Sequence, residues 1–398
     1  MTHSTLPRPT RRVAAAGMAL ALAGGLAACT DNNPQATPPG ASADPRVLTV
    51  TAGDTSCEVS SGTAPSGKLT FSVTNAGTTI NEFYLLAEDG LRIIAEVENI
   101  GPGLTRDLVL TAPAGTYYTA CKPGMMGDGI RASFAISESG DAGAPSGNDQ
   151  QLVDQANSQY ALYVKDQTEQ LLTKTEKFVE LYVDGDDDEA RALYADARQH
   201  WERIEPVAES FGDLDPKMDL READVESGDD WTGWHRIEKD LWPQRAKGYT
   251  PMTDTERATY ADDLLANTKT LYGRTRSMTF TAAQIANGAI GLLDEVATGK
   301  VTGEEEYWSR TDLWDFQANV DGARVAFDGL RPLLQRKDPE LDTDIDAKFV
   351  ALQKLLDAQK TDDGFTTYDQ LSPDEVRALS DAVNALSEPL SKLAAAVV

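Results

Sequence analysis

Residues 131–160, RASFAISESGDAGAPSGNDQQLVDQANSQY, contain the change of pattern that decides the fold. At their start Phe134 and Ile136 alternate with small or polar neighbours, the two-residue period of a strand with one buried face. Residues 139–149 (SGDAGAPSGND) are then almost wholly Gly, Pro, Ser, Ala, Asp and Asn, a linker by composition. From Leu152 onward, apolar side chains return at helical spacing and continue to Val183. Two periodicities on either side of a linker predict a multidomain chain, all-β before residue 139 and all-α after residue 149.

Working outward, residues 46–138 carry seven β-rich runs, at 47–51, 69–75, 82–86, 91–97, 107–111, 116–121 and 131–136. Gly, Pro, Asn and Asp separate most of them. Short strands at this spacing predict a β-sandwich. On the other side, residues 150–398 hold all six tryptophans and enough apolar positions for one or two antiparallel helical bundles. The stretch 187–211 reads as one helix. Capping boxes are expected at Thr253–Glu256, Thr302–Glu305 and Ser372–Glu375, the last with Pro373 at the first helical position.

The first 29 residues read as a bacterial export signal. Arg8, Arg11 and Arg12 form a basic start, residues 13–28 are apolar and rich in Ala and Gly, and LAAC at 26–29 has the lipobox pattern. Cys29 is then the lipid anchor, and the polar, Pro-rich residues 30–45 form a tether. The expected location is extracytoplasmic, on the outer face of the bacterial cell membrane. Arg11-Arg12 leaves both twin-arginine and general export open.

Sixty-four carboxylates against 36 Lys and Arg give a net charge of −28, and the signal takes three of the arginines with it. Such a balance repels nucleic acid and gathers cations near the surface. Three His and three Cys face those carboxylates. With His3 in the signal, only His200 and His235 remain, so a catalyst built on several imidazoles is excluded by counting. Hard, oxygen-rich metal chemistry is not excluded.

Candidate ligands follow from spacing. In a helix, His235 and Glu238 lie at i and i+3 and share a face. Glu202 and Glu205 do the same, and Asp219 follows after an acidic loop. A solvated helix face of self-paired Arg191, Arg198, Glu202, Glu205 and Glu209 is the competing reading. His200 points well away from Glu202 around the helix and is expected to pack or hydrogen-bond instead. In Glu304–Glu306 the middle residue sits at a capping-box position, which a structural role would explain.

The segments ERIEPVA (202–208), GWHRIEKDLW (233–242) and VTGEEEYWSRTDLWDFQANVDG (301–322) resemble the EfeO family, extracytoplasmic components of bacterial iron-uptake systems. The likeness runs from signal to C-terminus. It implies a cupredoxin-like β-domain and an imelysin-like helical domain of two bundles, the latter a metal-binding domain. It places the family's His-x-x-Glu motif on His235 and Glu238, and its acidic cluster on Glu202, Glu205 and Asp219 with one carboxylate of 304–306, taken as Glu305. Iron, as Fe(III) or Fe(II), is the implied cargo, with Cu(II) or Zn(II) tolerated by such donors. The implied partners are a membrane iron permease and a secreted haem peroxidase. A zinc peptidase of the imelysin type is the alternative, and the shortage of imidazoles argues against it.

The β-domain has no histidine, so a blue-copper centre is ruled out. The resemblance makes Cys57, Glu82, Glu98 and Cys121 candidate ligands of an altered site. An exported chain with two remaining cysteines more often joins them, so a Cys57–Cys121 disulfide is the favoured reading, with a thiol–metal site left open beside it.

Overall fold

The computed structural model describes residues 44–139, 147–225, 228 and 230–398. The expected signal, Cys29 and nearly all of the tether, and most of the linker, lie outside them.

Nine strands precede residue 138: β1 (Val47–Ala52), β2 (Cys57–Val59), β3 (Thr63–Pro65), β4 (Gly67–Asn75), β5 (Asn81–Leu86), β6 (Ile93–Ile100), β7 (Thr105–Ala112), β8 (Gly115–Cys121) and β9 (Ile130–Ser137). They form two sheets, ordered β2-β1-β4-β7 and β3-β9-β8-β5-β6. The alternation read in the sequence is real: Leu48, Val50 and Ala52 of β1 and Leu69, Phe71 and Val73 of β4 are buried between the sheets. Phe71 packs on Phe83 and Phe134 with ring centroids 5.2 and 5.4 Å apart. The strands β2 and β3 were not among the seven expected runs. Three residues are too few to display a period, and both sit at sheet edges, β2 antiparallel to β1 and β3 parallel to β9.

The helices are α1 (Asn148–Asp184), α2 (Asp187–Glu202), α3 (Glu205–Glu209), α4 (Asp215–Met218), α5 (Trp234–Leu241), α6 (Asp254–Thr275), α7 (Ala282–Thr298), α8 (Asp312–Lys337), α9 (Pro339–Asp357), α10 (Pro373–Leu390) and α11 (Leu393–Val397). Two cores divide them. Val153, Tyr160 and Val164 of α1 pack with α7, α8, α9, α10 and α11. Leu171, Phe178 and Tyr182, further along the same helix, pack with α2, α5 and α6. At 37 residues α1 is a rod about 55 Å long. None of the described helices is long and apolar enough to cross a membrane.

Two expectations need correction. The helix expected over 187–211 breaks at Arg203–Ile204, because Pro206 at the start of α3 has no N–H for the carbonyl of Glu202 and its ring crowds that position. The capping box at Thr302–Glu305 does not form. Thr302 closes a single 3₁₀ turn, Gly303 turns the chain at φ 75°, and the next helix begins only at Asp312. The boxes at Thr253–Glu256 and Ser372–Glu375 are present.

The sandwich is joined to the helices through β6 and β7. Arg106 pairs with Asp294 at 3.0 Å, Asn287 donates to the Val109 carbonyl at 2.8 Å, and the Ile93 N–H donates to Ser210 O at 3.1 Å.

Candidate metal centre

The break between α2 and α3 swings Glu205 beside Glu202 at the junction of the two helical cores. Both carboxylates are buried, and Asn319 of α8 donates to each, at 3.2 and 2.9 Å. Asp219 follows α4. The segment leading into α5 is set against that loop by Gly233, at φ 86°, where any Cβ would strike the carbonyl of Met218. This close approach delivers His235, 1 % exposed, to Asp219.

His235 lies at the centre of the carboxylates. Its Nε2 is 3.5 Å from both Asp219 Oδ1 and Glu305 Oε1, and its Nδ1 is 3.4 Å from Glu238 Oε2 and 4.0 Å from Glu306 Oε1. The other oxygen of Glu238 accepts the backbone N–H groups of Trp308 and Ser309 at 2.8 and 2.6 Å, which fixes the motif to the 304–311 turn. Three sets of donor atoms fall within 4.8 Å of one another: Asp219–His235–Glu305, His235–Glu238–Glu306 and Glu202–Glu205–Asp219.

All six helical residues expected as ligands, Glu202, Glu205, Asp219, His235, Glu238 and Glu305, are therefore brought together. His200 is not among them; its Nδ1 bonds Gln167 at 2.8 Å. Glu209 also leaves the cluster. Four further members were not assigned to the cluster from the sequence. Glu306 is fully buried beside Glu305, whereas Glu304 is exposed. Asp315, one turn into α8, is 1 % exposed and neither of its oxygens has a hydrogen bond. Arg198 and Lys300 supply the countercharge. Lys300 Nζ reaches Glu202 at 2.6 Å and Glu205 at 2.7 Å. The guanidinium of Arg198 contacts Glu202 and Glu306 at 2.6 Å, Glu305 at 2.9 Å, Asp315 at 3.6 Å, and Asp219. The spacing of Arg198 and Glu202 was visible, but it read equally well as a solvated face. Burial decides that question against solvent.

The electrostatics are those of a strained anionic cage. Burial pushes Glu202 up to about 8, helped by the charge of Glu205 and opposed by Lys300 and Arg198. Burial raises Glu205 to about 7 against the pull of Lys300. Glu305 is also buried, yet Lys300, His235 and Arg198 together hold it well below the usual range. Burial and the Arg198 charge oppose a protonated His235, but the nearby carboxylates of Glu238, Glu305 and Asp219 prevail and lift it to about 10. Oxygen-rich donors, one imidazole and buried atoms with no hydrogen bond (His235 Nε2 and both oxygens of Asp315) suit a hard or borderline cation.

The β-domain residues do not form a comparable set. Cys57 and Cys121 are joined in a disulfide, so neither offers a thiolate and the four-ligand site with Glu82 and Glu98 is not present. Glu82 instead accepts the Tyr84 hydroxyl at 2.5 Å. Glu98 and Glu96 line a cavity of about 620 Å³ between the sandwich and the helices, faced by Glu209 and Asp294. Burial, with neighbouring carboxylates adding to it, raises Glu98 and Glu209 well above the usual range and Glu96 to about 8. Asp215 and Glu295, raised by burial to about 7, are coupled through their charges both to these groups and to Glu305.

Comparison with known proteins finds matches to both parts of the chain. Residues 156–393 match the Imelysin family, whose label is that of a peptidase, and residues 18–133 match the Cupredoxin-like domain family. The iron uptake system component EfeO of Escherichia coli O157:H7 is 37 % identical over 356 residues, covering 88 % of this chain and 91 % of that one. The proteins of the same name from Escherichia coli K12 and Shigella flexneri are 36 % identical over the same lengths.

Proposed function

The chain belongs to the EfeO family of imelysin proteins, and from that premise we propose that it is an iron carrier. In this reading it takes up Fe(III) or Fe(II) outside the cytoplasmic membrane, tethered through Cys29, and delivers it to a membrane permease, with a secreted haem peroxidase as the second partner. The observation that carries it is the convergence of His235 with Asp219 and Glu305 in a buried, oxygen-rich cluster. Glu202, Glu205 and Glu238 complete the proposed ligand set. Carboxylates this crowded repel one another when no cation is present, and a bound cation relieves that repulsion.

The peptidase label gains no support from the site. Hydrolytic zinc centres usually rest on two or three imidazoles with an open position and a general base. Here a single imidazole enters the cluster, and His200 is bonded to Gln167.

Titration calorimetry on the chain lacking residues 1–29 tests the proposal, using Fe(III), Fe(II), Cu(II) and Zn(II). Binding is expected in the parent protein and in a Cys57→Ser/Cys121→Ser variant. Glu205→Ala and His235→Ala should abolish it. A parent protein that takes up none of the four metals would remove the carrier reading.

A further inference from the structure

The oxygen atoms that form the candidate triad with His235 are not free. Arg198 Nη1 bonds Asp219 Oδ1 and Arg198 Nη2 bonds Glu305 Oε1 at 2.9 Å, and these are the same two atoms that lie 3.5 Å from His235 Nε2. A cation held by the triad would sit directly against a guanidinium that cannot lose its charge. Two such positive groups cannot share the same acceptors without strong repulsion.

We propose that Arg198 is a built-in competitor: its guanidinium holds the ligands together in the metal-free protein and withdraws from Asp219 and Glu305 when a cation enters. Arg198 then determines how highly charged a cation must be to enter and offers a route for its release.

The cage is built to allow that withdrawal. Arg198 already touches a second, deeper set of acceptors, Glu202 and Glu306 at 2.6 Å and Asp315 at 3.6 Å. Asp315 is the telling member. It is 1 % exposed, both its oxygens lack a hydrogen bond, and Arg198 is the only positive group among the described residues to form an ion pair with it. An orphaned carboxylate in the core is costly unless a donor can reach it. A pivot of the guanidinium about its stem would satisfy Asp315 and vacate Asp219 and Glu305 without exposing the charge. Lys300 stays with Glu202 and Glu205, so the deeper layer remains neutralised as Arg198 moves.

The inference rests on the carrier reading and is tested beside it. Two redox-silent probes are titrated by calorimetry, Zn(II) as the divalent and Ga(III) as the trivalent cation, into the parent chain, Arg198→Met, Asp315→Asn and His235→Ala. Removing the competitor should tighten Zn(II) by about tenfold or more, the scale on which one adjacent like charge weakens a cation's hold. Ga(III), which displaces the same guanidinium, should tighten by at least as much. Metal-free Arg198→Met should melt at a lower temperature than the parent and recover most of the difference with Zn(II), which a purely structural arginine would not permit. Asp315→Asn, which removes the resting place, should weaken both probes while leaving the triad intact, and it serves alone if Arg198→Met does not fold. Zn(II) affinity unchanged or lost in Arg198→Met, or unchanged in Asp315→Asn, overturns the proposal. Loss in His235→Ala with no change in Arg198→Met would leave the carrier reading standing and remove only this one. No binding to the parent chain removes both.

Discussion

Glu305 is 7 % exposed and Glu306 is fully buried, while Glu304 beside them faces solvent. Glu304→Ala should therefore leave cation affinity and melting temperature unchanged, whereas Glu305→Ala should abolish tight Zn(II) binding in the same titration. Gly233 is equally specific. Its φ of 86° and its contact with Met218 O exclude a side chain, so Gly233→Ala should cost about 2 kcal/mol or more in urea unfolding and misplace His235. Some of this was legible in the sequence. His235 and Glu238 are three residues apart on one helix, and a local period is enough to place them together. Glu306 and Asp315 meet Arg198, and Lys300 meets Glu202, between distant parts of the chain, and no local period encodes such a meeting. The same limit left the Glu202 face undecided between solvent and core, since an i, i+4 pair has one appearance in both.

Helix α5 is only eight residues long and makes little structure by itself. It is held by an aromatic wall in which Trp234 packs on Phe178 at 5.1 Å and on Tyr194 at 5.9 Å between ring centroids. Tyr194 also donates to Glu306 at 3.2 Å, so the wall backs directly onto the acidic cage. Phe178→Ala should cost about 3–5 kcal/mol by urea unfolding. It should also weaken Zn(II) binding, although Phe178 touches no ligand, because α5 loses its backing. At this scale the sequence was informative where elements are long and regular, as in α1 and β4. It was uninformative at β2 and β3, too short for a period, and at 302–311, where Thr302 bonds the Gly299 carbonyl and Glu305 turns toward the cage instead of capping a helix.

The acids in and beside the cavity between sandwich and helices make the whole molecule sensitive to pH. Glu96 is held at about 8 and Asp215 and Glu295 at about 7, each raised chiefly by burial above unfolded values near 4.5, 3.8 and 4.5. The folded protein therefore holds these protons more tightly than the unfolded chain does. Stability from these groups is complete below about pH 4 and is lost as pH rises through 7 to 8. Metal-free protein should accordingly melt at falling temperature between pH 5 and about 8, with the slope reduced in Glu96→Gln. The disulfide acts on a different part. Reducing Cys57–Cys121 should cost the sandwich about 2–5 kcal/mol and leave Zn(II) affinity in the helices unchanged.

Helix α1 lends its first half to one core and its second half to the other. A fracture in either bundle would be felt along the whole rod, so the two cannot melt one after the other, and calorimetry should record their loss as a single peak. Nor can either be excised as a working fragment. A nick near Gln167, midway along the rod, would sever the inheritance of both halves at once.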